Sequence, residues 1–258
     1  MISLTIESQV ATVLLNHPPV NAIDHDWVVG MDQVLEKVES RDDVSVLHLR
    51  SACKTFCAGA DLALMQELLL TTEGCGAMVD LIRELQRVLD RLERIGVVTI
   101  AEIAGAAVGG GFELALACDL RVCSETAKLG LPEAGLGLIP GAGGTQRLPR
   151  VCGEAVARRI ILGAEIVDGT VAARLGLVHW AVPADELVRW SKALAERLGS
   201  LPRQALAACK RCITASSDGS AGGFEMELEE TQKLYGHDDT RRRLQTFLQK
   251  KTHPPRIK

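Results

Sequence analysis

Three glycine-bearing turns, each opening into a helical run, constrain this chain more than any other feature: Phe56 to Leu62, Gly105 to Gly111 and Pro140 to Thr145. A helix N-terminus leaves backbone N–H groups unpaired and carries partial positive charge, so each turn could hold an anion or oxyanion. Glycine and alanine permit a close approach that larger side chains would block. A glycine turn can equally do no more than reverse the chain, so the flanking segments have to decide.

Those segments alternate between strand and helix. Val10 to Asn16 is apolar and β-branched, and His17-Pro18-Pro19 ends it as a strand followed by a loop. Asp24 caps a stretch in which Val28, Met31, Val34, Leu35 and Val38 recur at helical spacing. Val44 to Leu49 is a second strand leading into Ser51 and the loop to Gly59, and Asp61 starts another helical run. Ala77 to Ile95 reads as a long amphipathic helix, Val97 to Ile103 as a buried strand broken by Gly105, Phe112 to Cys118 as a helix, and Leu120 to Cys123 as a strand. After Pro183 the strand signals stop, and helices are predicted over Ala184–Leu198, Arg203–Ala215, Phe224–Leu234 and Asp239–Lys250. The fold class is therefore α/β with a helical C-terminal extension, divided as 1–195 and 196–258.

Composition narrows the function classes. The 258 residues are 47% hydrophobic, enough for a sizeable core, and only 3% aromatic, so Ala, Val, Leu and Ile must fill it. A net charge of −4, with signs alternating along the helical stretches, argues against nucleic acid as the main partner, because phosphate affinity needs concentrated Lys and Arg. The tail with Lys250, Lys251, Arg256 and Lys258 is the best candidate for a local basic patch. The eight cysteines read as reduced thiols packed as small hydrophobes. Cys209 and Cys212 form a lone CxxC with no second pair at zinc spacing, so no metal is expected. No apolar run reaches bilayer length, and the opening residues lack the features of a leader. The expectation is a cytoplasmic protein, or a mitochondrial-matrix one if the chain is a processed form, without a membrane partner.

Two nucleotide-binding readings fail. Gly141 and Gly143 begin a G-x-G-x-x-G pattern, but Gln146 takes the third glycine position, with Arg147 after it. No Lys-Ser or Lys-Thr follows the glycines, so the Walker pattern is absent as well. What remains are two carboxylates among apolar residues, each beside a glycine-lined turn. Glu113 lies two residues past Gly109-Gly110-Gly111, and Glu133 follows Pro132. Either alone could be a helix-dipole partner or a solvated loop residue. Together they suit a site where proton transfer and oxyanion stabilisation coincide.

These residues also carry a resemblance. Phe56-Cys57-Ala58-Gly59-Ala60-Asp61-Leu62, Ala104 to Ala115 followed by Cys118-Asp119, and Leu131-Pro132-Glu133 through Leu148 resemble the active-site stretches of the enoyl-CoA hydratase/isomerase (crotonase) family. Pro19-Val20-Asn21-Ala22 and Ala172 to Val178 are similar to further strings of that family, so the resemblance spans nearly the whole chain. It implies a crotonase-like spiral of repeated ββα units closed by C-terminal helices that mediate a homotrimer, commonly a dimer of trimers. It implies an acyl-CoA thioester substrate, with coenzyme A part of that substrate and no separate cofactor. The backbone N–H groups of Ala60 and Gly110 would form the oxyanion hole. Ala58, Asp61 and Leu62 would line the adenine and pantetheine side, and Gly141 would help place the water. Phe247 and Lys250 resemble a C-terminal Phe-x-x-Lys that meets the acyl-CoA of a neighbouring subunit; a solvated tail is the other reading of Lys250.

In hydratases of the family two glutamates hold the attacking water, and both positions are Glu here, Glu113 and Glu133. The resemblance therefore implies hydration of a trans-2-enoyl-CoA to a 3-hydroxyacyl-CoA. Glu133 would exchange the α-carbon proton and Glu113 would activate the water. Other crotonase-family reactions, double-bond isomerisation or decarboxylation, stay open as siblings, and an RNA-binding or scaffolding relative as a different class. Ala63 stands where many hydratases carry a basic residue, and Phe112 where a smaller one is common. Leu64 to Val79, with Thr71, Thr72, Gly74 and Gly76, reads as a mobile loop forming the acyl wall.

Overall fold

Short runs of alternating apolar side chains form the strands, and both faces of the sheet they build are covered. The computed structural model describes residues 2–217 and 222–252, with side chains at 217 and 250–252 left aside. The chain divides into two compact units, Met1–Gly199 and Ser200–Lys258.

In the first unit the elements run β1 (Ile2–Glu7), β2 (Val10–Leu15), α1 (His25–Glu39), β3 (Val46–Ser51), α2 (Leu62–Leu68), α3 (Thr72–Arg94), β4 (Val98–Ile103), β5 (Ala107–Val108) and α4 (Gly110–Leu116). They continue with β6 (Leu120–Ser124), β7 (Lys128–Gly130), a 3-10 turn (Pro132–Leu136), α5 (Gly144–Cys152), α6 (Glu154–Leu162), β8 (Ile166–Asp168), α7 (Gly169–Arg174), β9 (Trp180–Val182) and α8 (Leu187–Gly199). A six-stranded sheet has the order β1-β2-β3-β4-β6-β9, and a three-stranded sheet the order β5-β7-β8. Strands β2, β3, β4, β6 and β9 are mutually parallel, and β1 closes one edge antiparallel to β2. The units β4-β5-α4 and β6-β7 each place one strand in either sheet, which is the predicted ββα repetition.

Side chains one residue apart on a strand point to opposite faces. Leu47, Leu49, Ala101 and Ile103 accordingly join a core with α1, α3 and α4, whereas Val46, Ile100 and Val122 join Leu187, Leu194 and Leu198 of α8. On the α8 face Glu102 is buried with Arg50, whose Nε donates to its Oε2 at 2.9 Å, and with Ser191, whose hydroxyl also donates to it. Burial raises the Glu102 pKa, but the His48 ring 3.3 Å away, the Ser191 hydroxyl and the Arg50 charge together hold it below its ordinary value. Asp119 Oδ2 accepts from the amide and hydroxyl of Thr99 at 2.8 and 3.0 Å, which pins the start of β4 to the end of α4.

The second unit consists of α9 (Arg203–Ser217), α10 (Gly223–Gly236) and α11 (Asp238–Thr252). Arg211 of α9 reaches Glu230 of α10 at 2.5 Å, and Lys233 reaches the same carboxylate at 2.9 Å. The tail expectation at Lys251, Arg256 and Lys258, and the Lys250 side chain, lie outside the described residues.

One expectation is corrected. Leu64–Val79 is not a loop: α2 covers its first part, and α3 begins at Thr72, with Thr71 Oγ1 accepting from the Gly74 amide at 3.0 Å. A Cβ on Gly74 would stand 2.0 Å from the carbonyl oxygen of Leu68, so this glycine lets two helices close on each other. It is needed for close approach, not for mobility.

Candidate active site

Asn21 organises the first turn. Its side-chain amide donates to Ser51 Oγ at 2.8 Å, Thr55 O at 3.2 Å and Phe56 O at 2.9 Å, while its Oδ1 accepts from the His17 amide at 2.7 Å. The chain then pairs with Ile23: the Ile23 N–H donates to Gly59 O at 2.8 Å and the Asp61 N–H donates to Ile23 O at 3.1 Å. In a parallel bridge of this kind the intervening residue turns its own N–H to the other side. Ala60 is that residue. On that side lies the N-terminus of α4. A Cβ on Gly110 would be 3.7 Å from the Ala60 nitrogen, and one on Gly59 would be 2.9 Å from the Gly110 nitrogen. Neither the Ala60 nor the Gly110 N–H has an acceptor among the described residues. Two unpaired amides, one from each of two touching turns, therefore lie together beside the positive end of a short helix.

Glu113 sits in the first turn of α4 and is 2% exposed. Its Oε1 accepts the Gly144 N–H at 2.7 Å. Burial pushes its pKa up to about 7; the Gly144 amide opposes that rise, the charge of Glu133 adds to it, and the Ala142 amide and Arg147 oppose it. Glu133 enters from the 3-10 turn, where Pro132 presets the backbone. A Cβ on Gly109 would be 3.0 Å from its Oε1, which places this carboxylate next to the α4 turn. Its Oε2 is buried and has no hydrogen-bond partner among the described residues. Burial raises the Glu133 pKa as well, with its own backbone amide opposing. Two carboxyls whose charges act on each other, one buried and one half-buried, favour a state in which one is protonated and the other ionised.

The other predicted residues are distributed as follows. Ala58 is half-buried, and its N–H donates to Val20 O at 3.0 Å. The Asp61 carboxylate caps α2, accepting from Ala63 N at 2.8 Å and Leu64 N at 3.1 Å, and Leu62 is 64% exposed beside it. Gly141 lies against α3, where Ile82 Cγ2 would meet its Cβ at 3.3 Å and Gln86 Nε2 donates to its carbonyl at 2.6 Å. Phe247 and Lys250 lie in α11, in the second unit. Sequence reasoning missed Asn21 as an organiser, Gln86, and the pair Glu93–Arg147. The strings around Asn21 and Arg147 were visible, but only the folded chain shows what their side chains hold.

The enoyl-CoA hydratase/isomerase family model matches residues 5–255. The short-chain-enoyl-CoA hydratase of Clostridium acetobutylicum is 34% identical over 250 residues, covering 95% of this chain and 93% of that protein. The crotonyl-CoA hydratase of Syntrophomonas wolfei is 32% identical over 257 residues, covering 97% and 95%. Among solved structures, the enoyl-CoA hydratase from Bacillus anthracis superposes with a TM-score of 0.90 at 31% identity, covering 96% of both chains.

Proposed function

The chain belongs to the enoyl-CoA hydratase/isomerase family, and on that footing we propose that it hydrates trans-2-enoyl-CoA thioesters reversibly to 3-hydroxyacyl-CoA. Membership makes it a crotonase-fold acyl-CoA enzyme. The observation that carries the finer reading is the placement of two raised-pKa glutamates next to two unpaired amides.

The thioester oxygen would sit between the Ala60 and Gly110 amides, which hold the charge of the enolate. One such donor is worth about 2.7–4 kcal/mol in the transition state. Glu113, as carboxylate, takes a proton from water while the hydroxide oxygen bonds the β-carbon. The π electrons shift toward the thioester, and Glu133, protonated, delivers its proton to the α-carbon. One proton enters a glutamate and one leaves the other, so the pair keeps its single proton and water is fully consumed. A pKa near 7 makes Glu113 a competent base at neutral pH. Ala58, Asp61 and Leu62 are proposed for the adenine and pantetheine side, Gly141 for water placement, and Phe247 and Lys250 for acyl-CoA contact from a neighbouring copy.

Assembly as a trimer or a dimer of trimers through residues 196–258 is part of the same proposal. Phe224, Leu228, Tyr235 and Leu244 expose large apolar side chains on α10 and α11, surface that a second copy would cover. The proposed compartment is the cytoplasm, or a mitochondrial matrix, where thiols stay reduced. Among the described residues no helix is long and apolar enough to cross a membrane.

Crotonyl-CoA tests the reading. Loss of the conjugated enoyl absorbance with 3-hydroxybutyryl-CoA as product is expected. A 3-enoyl product without hydration would instead assign the sibling isomerase reaction.

A further inference from the structure

The loop that presents the Gly144 amide to Glu113 is tied to α3 and α5 by side chains that no motif assigns. Arg147 is buried in α5, and its Nη1 donates to Ala142 O at 2.9 Å. Its Nε donates to Glu93 Oε2 of α3 at 2.7 Å. Seven residues earlier on α3, and therefore two turns away on the same face, Gln86 donates to Gly141 O at 2.6 Å. Ile82, one turn earlier still, packs on Gly141. Three of the four positions from Gly141 to Gly144 are thus held: Gly141 and Ala142 by their carbonyls, and Gly144 by its bond to Glu113.

We propose that Glu93 and Arg147 are positioning residues for Glu113, their ion pair clamping the Pro140–Gly144 loop so that the Gly144 amide stays on the carboxylate. Neither touches the reacting atoms. The charged groups facing Glu113 are Glu133 from the 3-10 turn and Arg147 from α5, with Glu93 of α3 behind Arg147 and partly neutralising it. The arrangement has a sign. Removing the Glu93 charge leaves Arg147 uncompensated and favours the Glu113 carboxylate. Removing the Arg147 charge favours the carboxylic acid. Loosening of the loop acts against the charge effect of Glu93: it takes the Gly144 amide off the carboxylate and pushes the Glu113 midpoint up in both variants.

The inference rests on the hydratase reading only for its kinetic readout. The test is the titration of Glu113 in the full-length protein, followed by carboxyl 13C NMR with Glu113→Gln as the assignment control. Glu93→Gln and Arg147→Gln are both expected to move the midpoint up, by about half a pH unit or more, with Arg147→Gln moving it further because its charge is lost as well. With crotonyl-CoA, Glu93→Gln and Arg147→Lys should lower kcat about tenfold with KM within about twofold, and Arg147→Lys should retain more activity than Arg147→Gln. Midpoints that stay in place, or a Glu93→Gln midpoint that moves down as the lost charge alone would drive it, overturn the proposal. If Arg147→Gln fails to fold, Glu93→Gln decides alone, since its partly exposed position tolerates the isostere. A wild-type protein that does not hydrate while both midpoints move up sinks the hydratase reading and leaves the clamp standing. An active wild type with unmoved midpoints does the reverse.

Discussion

A Cβ on Gly59 would stand 2.9 Å from the amide nitrogen of Gly110 and 3.1 Å from the Val108 carbonyl oxygen, and the Gly59 φ is +87°. Both the space and the backbone conformation demand glycine there. The two turns that carry the Ala60 and Gly110 amides therefore touch at a position without a side chain.

Gly59→Ala is expected to push the two amides apart. Loss of effective oxyanion stabilisation should lower kcat by about a hundredfold or more. The positive φ adds about 1 kcal/mol of strain. Steady-state kinetics beside a thermal melt separate the two effects, because a strain cost alone would lower the melting temperature and leave kcat intact.

Glu113 makes stability depend on pH in a definite direction. Its folded pKa, pushed up to about 7 by burial, exceeds the ordinary value of 4.5. Between those values the folded state binds more protons than the unfolded one, so stability is full below about pH 4.5 and falls as pH rises through 7. The loss is on the order of 3 kcal/mol. Glu113→Gln keeps an acceptor for the Gly144 amide and cannot ionise. It should be more stable than wild type at pH 8 and nearly equal at pH 4.5. Urea denaturation at the two pH values measures this, and a variant less stable at pH 8 would contradict it.

Arg121 offers a check on how α4 is anchored. It is 4% exposed and donates to Leu177 O at 3.0 Å, Cys118 O at 2.6 Å and Ala115 O at 3.4 Å. Its charge thus sits on carbonyls at the C-terminal end of the helix whose N-terminus holds Gly110, where a cation complements the dipole. Arg121→Met removes these bonds and leaves buried carbonyls without donors. A cost of about 3 kcal/mol is expected in chemical denaturation. A change below about 1 kcal/mol would show that water replaces the side chain freely.

How much of this was legible in the sequence depends on separation along the chain. The β-branched runs at Val10, Val46 and Val98 and the α8–α11 helices announce themselves through local periodicity. Glu113 and Glu133 were legible because each stands next to its glycine turn. The contacts that hold them were not: Gly144 binds Glu113 across 31 positions, Gln86 binds Gly141 across 55, and Arg147 pairs with Glu93 across 54. Arg147, next to the Gln146 that spoils a dinucleotide pattern in the sequence, is an ion-pair partner in the fold. Strands β7, β8 and β9 have three residues each, too few for a period to show. Gly74 misled because a glycine that admits a neighbouring carbonyl looks the same as one that breaks a helix.

The central claim is that Glu113 and Glu133 act as one acid–base pair on water, and its most direct test is kcat on crotonyl-CoA for Glu113→Gln, Glu133→Gln and the double variant. Each single variant should lose about a thousandfold or more, and the double variant little beyond the worse single one, because the two groups serve one step. A single variant that hydrates crotonyl-CoA at the wild-type rate would contradict the account.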